Sequence, residues 1–292
     1  MQQLRPSFFI VGAPKAGTTA LYDYLVNHPQ VCMSTDKEPN YFSEKEIREQ
    51  GLYYRKANPQ TEEEYLSLFK ADKQHLIAGE GSVSYLFYPE VAQRIYNFNP
   101  NARIIISLRD PVQRAFSHYQ MDYSLGLVTT SFDQIAGEGK DSESLKLFYQ
   151  QYIELGFYYQ QVKRYLDVFP SGQVLVLLHE DLISHPADTL KKLSGFLGIS
   201  YTDEQTGLRE VNVSGAPRSG LVKRIYQNET ARKFLASIIN EDIRLKIKSR
   251  LFSKKNLPVL SAKTRQQLIS LYREDIQQVS TLIKRNLEHW VS

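Results

Sequence analysis

The sequence predicts an α/β fold in which helices flank a central parallel sheet and the C-terminal portion is helical. Two observations predict this fold. Several short apolar runs, of which Arg103–Leu108 is the clearest, are hydrophobic throughout instead of alternating, which is typical of strands buried on both faces. Over roughly the first 200 residues these runs also take turns with segments of helical periodicity, as expected for a sheet covered by helices.

The predicted elements follow one another in a regular order. Strands are predicted at Phe8–Val11, Val31–Met33, Leu76–Glu80, Arg103–Leu108 and Gln173–Leu178. Helices are predicted at Thr18–Asn27, Glu62–Phe69, Glu90–Phe98, Val112–Tyr123, Tyr158–Phe169, Pro186–Leu197 and Lys263–Lys284. The segment Ser34–Asn58 shows few periodic signals, and residues 124–142 and 200–220 are predicted as loops, the first with a short helical piece. We interpret residues 1–292 as a single domain.

Composition limits the class of protein. Hydrophobic residues make up 42% and charged residues 23%, as in ordinary globular proteins, and the net charge of +4 predicts no nucleic-acid partner. The single cysteine, Cys32, excludes an internal disulfide, and the six histidines show no metal-ligand spacing, so no metal is predicted. No apolar run reaches the length of a membrane span or a signal-peptide core, and we expect a cytoplasmic protein.

The first motif that carries chemistry is Gly12–Thr19, which follows a predicted strand and opens a predicted helix. Its spacing matches a phosphate-binding loop, in which loop amides and the helix dipole create an anion site. Thr18 stands where nucleotide triphosphatases have lysine, which argues against ATP or GTP hydrolysis, and Lys15 lies inside the loop instead. The motif predicts a P-loop-containing nucleotide-binding fold; the alternative is a plain glycine turn. The residues predicted to bind phosphate are Lys15, Ala16, Gly17, Thr18 and Thr19.

With Pro-Lys-x-Gly-Thr-Thr in full, the loop resembles the 5′-phosphosulfate loop of sulfotransferases that use PAPS (3′-phosphoadenosine 5′-phosphosulfate). The family's second signature, R-D/N-P-x-x-R-x-x-S, fits Arg109–Ser117 at every fixed position. The resemblance implies that Arg109 and Ser117 bind the 3′-phosphate, and a guanidinium at a strand end can grip a phosphate with two hydrogen bonds. The alternative is an arginine paired with Asp110 and a core-facing serine. Arg114 either braces the loop or forms a surface ion pair.

A third candidate is the segment Asn212–Ser219. Members of this family carry a late basic, glycine-containing loop that closes over the 3′-phosphate, and the resemblance implies this role for Arg218. The usual Arg-Lys-Gly run is absent.

The acceptor side is predicted around Lys37–Phe42, which resembles the KEPxFF segment of the heparan sulfate N- and 3-O-sulfotransferase branch. The resemblance implies that Glu38 is the general base that takes the acceptor proton, with Lys15 stabilising charge on the leaving phosphate. Lys37 is predicted to bind an anionic substrate; the alternative for this pair is an exposed loop. His28 and His118 are the alternative bases.

The segment Glu80–Tyr85 departs from that branch, because Gly81 replaces the expected lysine. Glu80 is still predicted to contact the substrate by lining the cleft. The departure leaves the polysaccharide acceptor open, although it does not affect the donor.

Taken together, the resemblance implies a bacterial-type enzyme that transfers the sulfuryl group of PAPS to a hydroxyl or amine and releases PAP (3′,5′-ADP). The acceptor class implied is a carbohydrate, a lipid or another small molecule, and the sequence does not indicate an oligomeric state. Two alternatives are a P-loop kinase of a small molecule and a non-catalytic PAP-binding module.

Overall fold

The computed structural model describes residues 4–52, 58–202, 216–217, 252–253 and 257–292. The chain divides into two compact units. As far as they are described, the first unit holds Met1–Arg114, Leu155–Val211 and Leu271–Ser292, and the second holds Ala115–Glu154 and Asn212–Ser270. The interpretation of residues 1–292 as one domain stays a prediction.

The first unit contains a five-stranded parallel sheet, which confirms the predicted α/β fold. Its strands are β1 (Phe8–Gly12), β2 (Val31–Met33), β3 (Ile77–Gly81), β4 (Arg103–Leu108) and β5 (Val174–Leu178). They lie side by side in the order β2-β3-β1-β4-β5, with every neighbouring pair parallel. All five predicted strands are therefore confirmed, with bounds that differ by no more than a residue or two at each end.

Helices connect the strands as predicted, with several additions. The first unit contains α1 (Thr18–Val26), α2 (Glu44–Gln50), α3 (Glu62–Leu66), α4 (Val91–Phe98), α8 (Tyr158–Val168), α9 (His179–Ser184) and α10 (Pro186–Leu197). The second contains α6 (Phe132–Glu138), α7 (Lys146–Tyr152) and a two-stranded antiparallel pair, β6 (Ala216–Pro217) with β7 (Phe252–Ser253). Two helices, α5 (Pro111–Leu125) and α11 (Ala262–Ile283), cross the division.

Three short helices, α2, α7 and α9, were not predicted from the sequence. In α2 the reason is clear, because its sequence Glu-Lys-Glu-Ile-Arg-Glu-Gln is almost entirely polar and none of its residues is buried. A helix without an apolar face gives no hydrophobic period to detect.

Both faces of the sheet are covered, which explains why its strands are apolar at every position. On one face, Phe8 and Ile10 of β1 join a buried cluster with residues of α1 and α10. On the other, Phe9 lies edge-on against Phe42 with ring centroids 5.8 Å apart. Gly79 on the neighbouring strand makes room for the Phe8 ring, since a Cβ at position 79 would lie 2.4 Å from it.

The C-terminal helix caps a helix of the same unit. The Asp275 carboxylate of α11 accepts hydrogen bonds from the backbone N–H groups of Tyr158 (2.7 Å) and Tyr159 (3.1 Å), the first two residues of α8. Those amides have no partner within their own helix. Burial raises the pKa of Asp275 to about 6, and the two amides oppose that rise.

We therefore expect Asp275→Ala to lower the free energy of unfolding by about 1–2 kcal/mol, as for the loss of a helix cap. Glu274→Ala is the matched control, because Glu274 is the adjacent carboxylate of α11 and is exposed. It should change stability by less than about 0.5 kcal/mol. Urea denaturation of both variants measures the difference; equal losses would contradict a capping role.

Within the described ranges, no helix combines the length and the apolar character that crossing a bilayer requires. The cytoplasmic location expected from the sequence stays a prediction.

Candidate active site

The predicted site residues of the first unit gather where the parallel strands end, an edge that we call the carboxyl edge. The loop Ala13–Gly17 follows β1, Arg109 follows β4, and His179 follows β5. In open parallel sheets this edge is where ligands bind.

The end of β4 holds the loop at three points. The Ala13 N–H donates to the Ser107 carbonyl (2.6 Å), and the Ser107 hydroxyl donates to the Ala16 carbonyl (2.5 Å). The Arg109 guanidinium donates through Nη1 to the Lys15 carbonyl (3.1 Å). The structure thus brings Lys15 and Arg109, which are far apart in sequence, into direct contact.

Gly17 allows α1 to begin against α9. Its φ of 86° is in the left-handed region, and a Cβ there would lie 3.0 Å from Leu182 and 3.1 Å from the His179 ring. No side chain caps α1, and its first turn contains no acidic residue. The first amides of a helix lack intrahelical partners and favour anions, so Thr18, which is buried, and Thr19, which is half-buried, begin a helix suited to phosphate.

Arg109 is a second cationic group at this edge. Its side chain is partly buried, and burial lowers the pKa of the guanidinium, whereas the neighbouring Tyr158 and Asp110 oppose that fall. Its Nε atom is buried and has no hydrogen-bond partner among the described residues. The Asp110 carboxylate accepts from the Val112 and Gln113 amides (2.8 and 3.2 Å) and so caps the start of α5.

One site residue, His179, was not predicted. It begins α9 directly after β5, and its ring lies against Gly17. Burial and the Arg109 charge together lower the pKa of His179 to about 4, so the imidazole is neutral near pH 7. The available signal was its place as the first polar residue after a buried strand.

The acceptor segment, Lys37–Phe42, leaves β2 and is fastened to β3. The Glu38 N–H donates to the Gly81 carbonyl (3.1 Å), and Lys37 Nζ forms an ion pair with Glu38 Oε1 (3.1 Å). Both side chains are about one-third exposed (32% and 33%), so the carboxylate that was predicted to act as base is accessible.

Glu80 lies behind this segment and not on the surface. Its side chain is fully buried, and its carboxylate accepts hydrogen bonds from the hydroxyls of Tyr65, Ser82 and Tyr85. A carboxylate enclosed in this way can contact a substrate only if those hydroxyls are displaced. This burial does not support the expectation that Glu80 lines the cleft, and its contact with the substrate stays a prediction.

The two alternative bases are both buried. His28 is buried beyond the C-terminal end of α1, a nine-residue helix about 13.5 Å long at 1.5 Å per residue, and contacts the Ser200 carbonyl (2.8 Å). His118 is buried in the second unit, where its Nδ1 contacts the Gln151 carbonyl (3.1 Å) and its ring lies edge-on against Tyr152. His28 is therefore remote from the carboxyl edge of the sheet, and a role of His118 as the base stays a prediction.

The remaining predicted residues are less informative. Ser117 is half-buried on the part of α5 that belongs to the second unit, and its role at the 3′-phosphate stays a prediction. Arg114 is fully buried, so the alternative of a surface ion pair is wrong. Arg218 lies outside the described residues. Within the described part of the chain, no group of three or more His, Cys, Asp or Glu side chains is arranged to hold a metal ion.

Comparison with known proteins gives a family match and several relatives. A model of the family described as "Sulfotransferase domain" matches residues 5–221. Mouse heparan sulfate glucosamine 3-O-sulfotransferase 3A1 is 29% identical over 194 residues, which are 66% of this chain and 46% of that protein. Human carbohydrate sulfotransferase 15 is 29% identical over 256 residues, covering 68% of this chain and 45% of that protein. The chain thus spans less than half the length of these relatives.

A solved structure resembles the chain over nearly its whole length. It is the crystal structure of a sulfotransferase from Alicyclobacillus acidocaldarius, with a TM-score of 0.70, 29% sequence identity and coverage of 99% of both chains.

Proposed function

The chain belongs to the sulfotransferase domain family, and from this premise we propose that it transfers the sulfuryl group of PAPS to a hydroxyl or amine of an acceptor and releases PAP. The observation that carries the proposal is the hydrogen bond between Arg109 and the Lys15 carbonyl at 3.1 Å. It brings a second cation to the same edge of the sheet as the phosphate loop, and a doubly phosphorylated nucleotide offers two anionic groups for such cations to bind.

Each end of the nucleotide has its own binding groups in this proposal. The amides of Ala16, Gly17, Thr18 and Thr19 and the Lys15 ammonium hold the 5′-phosphosulfate. Arg109, with Ser117 and Arg218 as further candidates, holds the 3′-phosphate. The fit is supported by the uncapped start of α1 and by the buried, unpartnered Nε of Arg109 within the described chain. The neutral His179 ring adjoins the loop without adding charge.

For the transfer step, Glu38 accepts the proton of the acceptor as the acceptor oxygen or nitrogen forms a bond to sulfur. The bond from sulfur to the bridging phosphate oxygen breaks, and its electron pair remains on PAP. Lys15 stabilises the charge that grows on that oxygen, so fixed cations and amides supply the positive field.

The acceptor is assigned only by class. The names of the two relatives specify a heparan sulfate glucosamine and a carbohydrate. Lys37, which is one-third exposed beside Glu38, is suited to contact an anionic acceptor. We infer a carbohydrate or small molecule with a free hydroxyl or amine, to be identified with an acceptor panel that also contains lipids and phenols.

Ligand-dependent stability tests the donor assignment. PAP at about 100 times its Kd should raise the free energy of unfolding by about 2.7 kcal/mol, whereas ATP with Mg²⁺ should have a much smaller effect. Arg109→Gln should weaken PAP binding about 10- to 100-fold, since a charge-assisted hydrogen bond is worth about 1.5–3 kcal/mol.

The two alternative functions, a kinase and a non-catalytic module, predict different results in the stability and transfer experiments. Stabilisation by ATP and Mg²⁺ without PAP binding would indicate a kinase. PAP binding with no sulfuryl transfer to any member of the panel would indicate a non-catalytic module. The transfer assay follows labelled sulfate from PAPS to the acceptor.

A further inference from the structure

The buried carboxylate of Glu80 is surrounded by three hydroxyl donors, which we call the hydroxyl cage. Glu80 Oε1 accepts from the hydroxyls of Tyr65 (2.7 Å) and Tyr85 (2.8 Å), and Oε2 accepts from Ser82 Oγ (2.6 Å). Glu80 has 0% of its surface exposed. A buried carboxylate is costly unless it is hydrogen-bonded, and the three short bonds meet that requirement.

Two of the three cage hydroxyls also bind the acceptor segment. The Asn40 N–H donates to Ser82 Oγ (3.0 Å), and the Phe42 N–H donates to the Tyr85 hydroxyl (3.3 Å). A hydroxyl has one hydrogen and two lone pairs. Because Glu80 accepts a hydrogen bond from each hydroxyl, the lone pairs of the Ser82 and Tyr85 oxygens are available to accept from the backbone amides.

The segment held in this way has an unusual backbone. Glu38 and Asn40 have φ values of 62° and 53°, in the left-handed region that non-glycine residues rarely occupy. Such conformations persist when surrounding contacts determine them. Further contacts come from Ser84 Oγ, which donates to Asn40 Oδ1 (2.7 Å), and from Asn40 Nδ2, which donates to the Glu38 carbonyl (2.8 Å).

We propose that Glu80 is a positioning residue for sulfuryl transfer: its carboxylate orients the Ser82 and Tyr85 hydroxyls, which hold the backbone that presents Glu38. This inference rests on the proposed function, in which Glu38 is the base. It gives the glutamate a role that needs no direct contact with the acceptor, although Gly81 stands beside it in place of lysine.

The charge state of Glu80 bears on this role. The titratable groups that interact electrostatically with the Glu80 carboxylate are Tyr22 of α1, Tyr65 of α3, Tyr85, Tyr165 of α8 and Glu38. Burial raises the pKa of Glu80 to about 7; the three hydroxyls oppose the rise, and the Glu38 charge adds to it. Above that pH the carboxylate only accepts hydrogen bonds, whereas below it the carboxyl proton must donate to the cage and releases one hydroxyl from its orientation.

Two tyrosine variants separate positioning from general support of the core. Tyr85→Phe and Tyr65→Phe each remove one hydroxyl bound to Glu80 Oε1, and both rings are fully buried. Only the Tyr85 hydroxyl accepts from the Phe42 amide. At a pH well above 7, where Glu80 stays ionised although either variant removes a hydroxyl that lowers its pKa, we expect Tyr85→Phe to lower kcat about 10-fold with KM for PAPS unchanged. Under the same conditions Tyr65→Phe should lower kcat no more than about twofold.

Hydrogen exchange gives a readout that needs no acceptor. Exchange in the peptide that contains Asn40 and Phe42 should accelerate about 10-fold in Tyr85→Phe and less than about twofold in Tyr65→Phe. Equal effects of the two variants on exchange, or a change in melting temperature with unchanged exchange and kcat, would overturn the proposal. Since PAP binding uses other strands, stabilisation by PAP should persist in both variants and shows that they fold.

Glu80→Gln provides the pH test. In the unaltered protein kcat should rise as pH increases through about 7, and the glutamine variant should lack this inflection and have a kcat about 10-fold lower above it. Persistence of the inflection would contradict a role of Glu80 ionisation. If Glu38 is not the base, Glu38→Gln keeps its turnover while the exchange difference between the tyrosine variants remains, so the two failures are distinguishable.

Discussion

Glu38→Gln is expected to lower kcat by about two to four orders of magnitude, which is the usual contribution of a general base. Glutamine keeps the size of the side chain and the backbone bond from residue 38 to the Gly81 carbonyl, so the segment retains its conformation. It cannot take a proton from the acceptor. Initial rates of sulfuryl transfer from PAPS measure the loss, and KM for PAPS should change less than about twofold because the donor loop is intact.

Glu44→Gln is the matched control for this variant. Glu44 is a nearby carboxylate at the start of α2, where it pairs with Arg48 at 3.0 Å, and it has no place in the proposed chemistry. Its kcat should stay within about twofold of the unaltered protein. Near-normal turnover in Glu38→Gln would show that another group takes the proton, and the buried positions of His28 and His118 argue against both histidines.

The fold was largely predictable because its signals are local. Runs such as Phe8–Val11 are apolar at every position since helices cover both faces of the sheet, and the glycine loop follows the first of them directly. The predicted family resemblance, which depended on the order of these motifs, is confirmed by the match over residues 5–221. Helix α2 escaped prediction because nothing in it is buried.

The environment of Glu80 was not predictable, because it depends on contacts between distant residues. Tyr65 lies on α3 and Tyr85 follows β3, and both donate to the Glu80 carboxylate. The acceptor segment follows β2, and only the fold brings these parts of the chain together. A glutamate at a strand end has the same sequence signal whether it faces solvent or a ring of hydroxyls. The burial of Arg114 could not be predicted for the same reason, because its motif specifies the residue type and not the surrounding residues.

Lys15→Met should lower kcat about 10²- to 10³-fold, the range seen when a group that stabilises developing charge is removed. Methionine keeps most of the side-chain length but not the positive charge. The loop should keep its shape, because the Lys15 backbone carbonyl still accepts from Arg109. Since the charge on the bridging oxygen grows as sulfur departs, the loss in kcat should exceed the loss in PAP affinity, which we expect to be about 10-fold.

The comparison of these two losses decides what Lys15 does. Lys45→Met, an exposed lysine on α2, is the control and should change neither quantity by more than about twofold. Transfer kinetics and PAP titration by thermal stability are measured on both variants. Weaker PAP binding and a raised KM for PAPS with an unchanged kcat would mean that Lys15 holds the nucleotide without favouring the transition state. In that case the positive field for the departing phosphate must come from the amides at the start of α1 and from Arg109, the other groups gathered at that edge.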